Sequence, residues 1–291
     1  MDKQLISLTI LLCGISACSA QKPIDVDIPY QIQLPFSVDS GVPFVYWDET
    51  RANVVGSLTT DSLHNLYIIG GLPATLVKLT PQGKQLFRRK CQELQMEVGQ
   101  IYPADGKIYV FYSGLGENDL YVLNAENGQI EKTLGKITED TINSHWFRDG
   151  KLILHAFGPR AKGDIGINLK PLVFDLNGKF VGPAENPYNI TAFDYTEESW
   201  KQLGGYLGKY KGAYLFDDWD VDNKKYVLTL VGGDGKRQAW GEIPEDVFGG
   251  MLYGEVGEFW SLQGDWISVL GEQGDHAIIT TIRIDEYLKQ P

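Results

Sequence analysis

Carboxylates, imidazoles and indoles are the groups here that could do chemistry, and few of them are spaced for it. Asp218, Asp220 and Asp222 alternate within Asp217-Asp218-Trp219-Asp220-Val221-Asp222-Asn223, as at the start of a loop that gives oxygen ligands to calcium. Counted from Asp218, the sixth and twelfth positions hold Asn223 and Thr229, where an EF-hand loop needs Gly and Glu. The run therefore reads as an acidic loop between strands, with calcium the one cofactor it could take. The four histidines, His64, His145, His155 and His276, follow no metal-ligand spacing. His145-Trp146 is the pair a central channel could use to hold a ligand. Trp200 and Trp219, with Tyr206 and Tyr210, could form a stacking platform for a sugar or a peptide.

Catalytic motifs are missing. There is no serine elbow, histidine pair on a helix, phosphate loop or dinucleotide fingerprint, and Gly114-Leu115-Gly116 lacks the third glycine. A glycosidase needs two convergent carboxylates, and 38 acidic residues are too many to single out such a pair. Those 38 against 26 basic residues leave a net charge of -12, which argues against nucleic acid as a partner. The one basic cluster, Arg88-Arg89-Lys90, reads as the solvated edge of a strand.

Cysteine usage points to an address. Lys3 precedes the apolar run Leu5 to Ile15, long enough for a signal peptide and too short to span a bilayer. Ile15-Ser16-Ala17-Cys18 follows and resembles the lipobox of bacterial lipoproteins. The resemblance implies a signal peptide over 1–17, diacylglycerol and palmitate on Cys18, and a lipidated tether over 18–27. It further implies a membrane anchor made of acyl chains alone. Ser19 in place of an aspartate leans toward the outer membrane. With Cys13 removed and Cys18 acylated, Cys91 has no disulfide partner and reads as a buried filler.

Residues 28–291 must then supply the folded body. Strands introduced by turns recur at His64-Asn65-Leu66-Tyr67, Asp105-Gly106-Lys107, Asp149-Gly150-Lys151, Lys211-Gly212-Ala213 and Gly264-Asp265-Trp266. Four of the five are followed by a second turn, at Pro81-Gln82-Gly83, Glu126-Asn127-Gly128, Leu176-Asn177-Gly178 and Asp234-Gly235. Such dipeptides tolerate the positive φ that tight hairpins require. Two turns per unit, recurring about every 45 residues, describe a four-stranded meander repeated as in a β-propeller. The pattern is similar to propellers of the NHL and PQQ-like kinds, which implies a fold and no substrate.

The expected fold is therefore all-β: a propeller of five blades, with room for a sixth, degenerate blade within 187–210. The fifth unit lacks a closing hairpin, and the alternating stretch Tyr30 to Leu34 has no neighbouring partner. Pairing the two closes the ring and removes the free edge. We read the function as an envelope-anchored binding or scaffold module for a protein or glycan partner. The alternative is a carbohydrate hydrolase or lyase using channel carboxylates.

Overall fold

The computed structural model describes residues 28, 30–37, 39–43, 45–46, 53–71, 73–94, 100–114, 117–157, 169–183, 205–248, 251–252 and 259–289. The signal, the lipobox, the tether and Trp200 lie outside them. Strand β1 (Gln31–Pro35) and the short β2 (Val45–Tyr46) precede β3 (Asn53–Thr60), β4 (Leu66–Gly70), β5 (Thr75–Leu79) and β6 (Gln85–Lys90). Next come β7 (Ile101–Ala104), β8 (Lys107–Gly114), β9 (Glu117–Asn124) and β10 (Ile130–Lys136), then β11 (Ile142–Arg148), β12 (Lys151–Phe157), β13 (Leu169–Asp175) and β14 (Phe180–Pro183). The fourth meander is β15 (Gly205–Tyr210), β16 (Ala213–Asp220), β17 (Lys225–Val231) and β18 (Arg237–Pro244). The fifth is β19 (Met251–Leu252), β20 (Trp260–Gln263), β21 (Trp266–Gln273) and β22 (His276–Arg283), with β23 (Leu288–Lys289) after it.

These strands form five antiparallel sheets arranged in a ring, a five-bladed β-propeller. Among the described residues no sixth blade is formed: Tyr206 and Tyr210 belong to β15, the innermost strand of blade four, which pairs with β16.

The hairpins explain the recurrence. In Asp105-Gly106, Asp149-Gly150 and Lys211-Gly212 both residues have positive φ, between 48° and 82°. Two such residues joining two strands form the turn whose twist matches the strands it connects. The later hairpins serve packing as well. A Cβ on Gly128 would come 2.9 Å from Phe87 on β6, and one on Gly178 would come 2.9 Å from Ile137, which follows β10. In both cases the turn of one blade rests on the outer edge of the blade before it, and a side chain there would wedge the two apart.

Ring closure follows the expected pairing. β1 runs antiparallel to β22, with Gln31 opposite Thr280 and Pro35 opposite His276. Ile32 and Leu34 turn inward against the largest apolar cluster, while Gln31, Gln33 and Pro35 face out. Half-burying each aliphatic side chain contributes roughly 1 kcal/mol. Arg88 fastens the segment that follows, donating from Nη1 to the Gly41 carbonyl at 3.0 Å and from Nη2 to the Ser37 carbonyl at 2.8 Å. The basic trio is thus not simply a solvated edge, because two loop carbonyls need a donor and Arg88 on β6 lies within reach. β23 extends blade four beyond β18, an addition that two residues of strand do not announce in the sequence.

Candidate functional site

The sheets are radial, so each one shows its two faces to neighbouring blades and only its inner edge to the axis. The axis is bordered by β3, β7, β11, β15 and β20, where β20 packs on both β3 and β15 and β3 packs on β7. Hydrogen bonds join four of the five neighbouring pairs of blades at these inner strands, and close packing with an ion pair joins the fifth. The Thr60 amide donates to Ser261 Oγ at 2.9 Å, and the two hydroxyls are 2.7 Å apart, linking blades one and five. The Ile101 amide donates to Ser57 Oγ at 3.3 Å, linking one and two. Gln100 Oε1 accepts from the Phe147 amide at 2.6 Å, and the Tyr102 hydroxyl accepts from the Gly150 amide at 3.2 Å, linking two and three. Blades three and four meet where Arg148 Nε donates to the Tyr206 carbonyl at 3.0 Å and the Tyr206 hydroxyl donates to Asp149 at 2.6 Å. Between four and five, a Cβ on Gly208 would come 3.1 Å from Leu262, and Lys211 lies 3.9 Å from Asp265.

Towards the ends of these inner strands the ring encloses a cavity of about 280 Å³ to which all five blades contribute. Thr59 and Thr60 come from blade one, Gln100 and Tyr102 from blade two, Arg148 and Asp149 from blade three, Lys209 from blade four, and Ser261 and Gln263 from blade five. Its lining is therefore largely polar, with Trp260 as one of its apolar walls. Asp149 is the one acid lining it among the described residues.

The electrostatics divide the buried groups. Burial, with Asp149 close by, pushes the Tyr206 hydroxyl far above its usual range, so it stays a donor to that carboxylate. Burial likewise raises Tyr102. Arg148 is 8% exposed, and its Nη1 also donates to the Phe147 carbonyl at 2.7 Å. The guanidinium is thus held in one orientation beside the cavity.

The described residues singled out by type, His145, Trp146, Trp219, Asp218, Asp220 and Asp222, are not among those lining this cavity. His145 is on β11, but its ring meets Phe111 edge-on at 5.0 Å on the side of blade two, and its Nε2 is buried without a hydrogen-bond partner. Desolvation pushes its pKa down to about 4, so the ring is neutral at physiological pH. Trp146 takes the opposite side of the strand and packs on His155 at 4.4 Å. Trp219 packs on Tyr226 at 4.5 Å within blade four. Asp220 accepts from both nitrogens of Asn223 and lies 3.8 Å from Lys225. Exposed Asp218 and Asp222 do not join it in a cluster, and among the described residues no group of three or more His, Cys, Asp or Glu is placed to hold a metal.

No protein-family model matches the chain, and no curated protein matches it. Among solved structures it is similar to a protein of unknown function from Bacteroides caccae, at 15% identity over 66% of this chain and 64% of that one, with a TM-score of 0.32. It is also similar to the Dos1 propeller, at 10% identity over 79% of this chain and 56% of that one, with a TM-score of 0.34. The chain spans less than two thirds of either. The propeller assignment itself rests on the five sheets and their closure.

Proposed function

We propose that this propeller is a binding module whose working site is the cavity in the central channel, and that it takes up a single sugar unit at the end of a glycan. One observation carries the reading: five inner strands bring hydroxyl, amide and charged side chains to one cavity. Its volume falls just below the ~300–1,000 Å³ usual for small-molecule pockets, which suits one ring better than a chain. Tyr102 accepts a backbone hydrogen bond and keeps its own O–H to donate, and the Thr60–Ser261 pair adds hydroxyls.

A hydrolase is the weaker reading. Both glycosidase mechanisms need two carboxyl groups, separated by about 5 to 10 Å across the scissile bond. The described lining supplies only Asp149, already bound by Tyr206.

Titration of the full chain with a panel of monosaccharides, followed by calorimetry, tests this. Binding without release of hydrolysis products, weakened roughly tenfold by Tyr102→Phe, is the expected result. Failure of every saccharide to bind would overturn it. We further propose that Cys18 anchors the module at the bacterial envelope, leaning to the outer membrane. Labelled palmitate should enter the protein and be lost in Cys18→Ser, and label persisting in that variant would reject the anchor.

A further inference from the structure

We infer that the sugar unit held in the channel is an acidic one, its carboxylate recognised by Lys209 beside the fixed charge of Arg148. This rests on the saccharide reading above and adds the class of sugar. The chain carries a net charge of -12, yet among the described residues the charged ones lining the cavity are two cations, Arg148 and Lys209, against one anion, Asp149. The Asp149 carboxylate already receives the Tyr206 hydroxyl at 2.6 Å.

Lys209 is exposed and, like most of the described lysines, has no acidic partner within 4 Å among the described residues, so its charge is open to a ligand. Its ammonium lies 5.4 Å from the centre of the Tyr214 ring on blade four, and the residue lines the cavity. Arg148, mostly buried and tied to two carbonyls, adds positive potential that cannot swing away.

Polar neighbours complete the selection. Tyr102, Thr60 and Ser261 provide hydroxyls for the ring, and Gln263 provides an amide. A carboxylate without a ring would use the cations and leave these groups to water. A neutral sugar would use the hydroxyls and leave Lys209 without a counter-charge.

Calorimetric titration of the full chain with methyl glucuronide, methyl glucoside and acetate tests the inference. Methyl glucuronide is expected to bind at least tenfold more tightly than either of the others, with affinity falling as salt is raised. Lys209→Gln should abolish the preference, while Lys209→Arg should retain most of it. Equal affinity for glucuronide and glucoside, or a preference that survives Lys209→Gln, would overturn the acidic-sugar inference and leave the saccharide reading standing. Acetate binding as tightly as glucuronide would overturn it as well, and no binding by either glycoside would overturn both.

Discussion

The hydroxyl of Tyr206 donates to Asp149 at 2.6 Å, joining the inner strand of blade four to the turn that ends the inner strand of blade three. The two residues do different work. Asp149 tolerates the positive φ of 50° that the turn requires, and its carboxylate accepts a hydrogen bond from a buried phenol. The small apolar cluster of Tyr206, Tyr214, Phe216 and Val231 flanks this contact, so the charge-assisted hydrogen bond sits at an apolar edge of blade four.

Tyr206→Phe should therefore destabilise the protein by roughly 1.5–3 kcal/mol, the usual worth of a hydrogen bond to a charged group. For a chain of this size that lowers Tm by roughly 2–4 °C per kcal/mol, measurable by calorimetry. An unchanged Tm would mean that the bond contributes nothing to joining the blades.

Turn glycines separate strain from collision. Gly106, Gly128 and Gly178 all have φ near 70–75°, but a Cβ on Gly106 meets nothing within 4 Å, while those on Gly128 and Gly178 would press on the preceding blade. Gly106→Ala should cost about 1 kcal/mol from backbone strain alone. Gly128→Ala and Gly178→Ala should cost about 1–3 kcal/mol more, read from urea midpoints. Equal losses at all three sites would contradict the packing of turns against neighbouring blades.

Asp217 is fully buried on β16, opposite Gly205 and Leu228, and among the described residues no other side chain or backbone group hydrogen-bonds its carboxyl oxygens. Burial, reinforced by the Asp218 charge and only partly offset by Arg148, holds its pKa well above 3.8. The folded state therefore keeps a proton that the unfolded chain releases near pH 4, so this residue's contribution falls as pH rises from there through the folded pKa. Asp217→Asn should match the parent near pH 4 and exceed it by roughly 1–3 kcal/mol at pH 8. A stability difference that does not change with pH would rule out a buried, protonated carboxyl.

Cys91 has no exposed surface, and burial pushes its thiol up to about 11. In a Cys13→Ser, Cys18→Ser background, iodoacetamide at pH 8 should label it only after denaturant is added. Rapid labelling of the native protein would place the sulfur elsewhere.

Much of this architecture is legible in the chain because it is local. Asp-Gly and Lys-Gly turns announce themselves through φ, and Tyr30 to Leu34 shows a half-buried alternation with no neighbour to pair with, which leaves the far terminus as its partner. The cavity is a different matter. Thr60, Gln100, Arg148, Lys209 and Ser261 share no residue type and no motif, and they meet only because five inner strands finish around one axis. Choosing residues by chemistry selects His145 and Trp146, which do lie on an inner strand. In a radial sheet, however, side chains on that strand point sideways into the adjacent blades, and the cavity takes Phe147 to Asp149 from the strand's end.

Ring closure can be checked with Gln31→Cys and Thr280→Cys together, since Gln31 Nε2 donates to Thr280 Oγ1 at 3.2 Å in the native pairing. In a Cys13→Ser, Cys18→Ser background, the pair should form an intramolecular disulfide and raise the urea midpoint, because it closes a very long loop. Two thiols that stay free under oxidising conditions would separate β1 from β22.

The most direct measurement is fluorine NMR of the full chain labelled with fluorotryptophan, with Trp260 assigned through Trp260→Phe. Trp260 lines the channel cavity, whereas Trp240 lies on β18 against Lys289, away from that lining. On titration with methyl glucuronide the Trp260 resonance should shift and saturate while that of Trp240 stays in place. A saturable shift at Trp240 with none at Trp260 would put the binding site somewhere other than the channel and contradict the account.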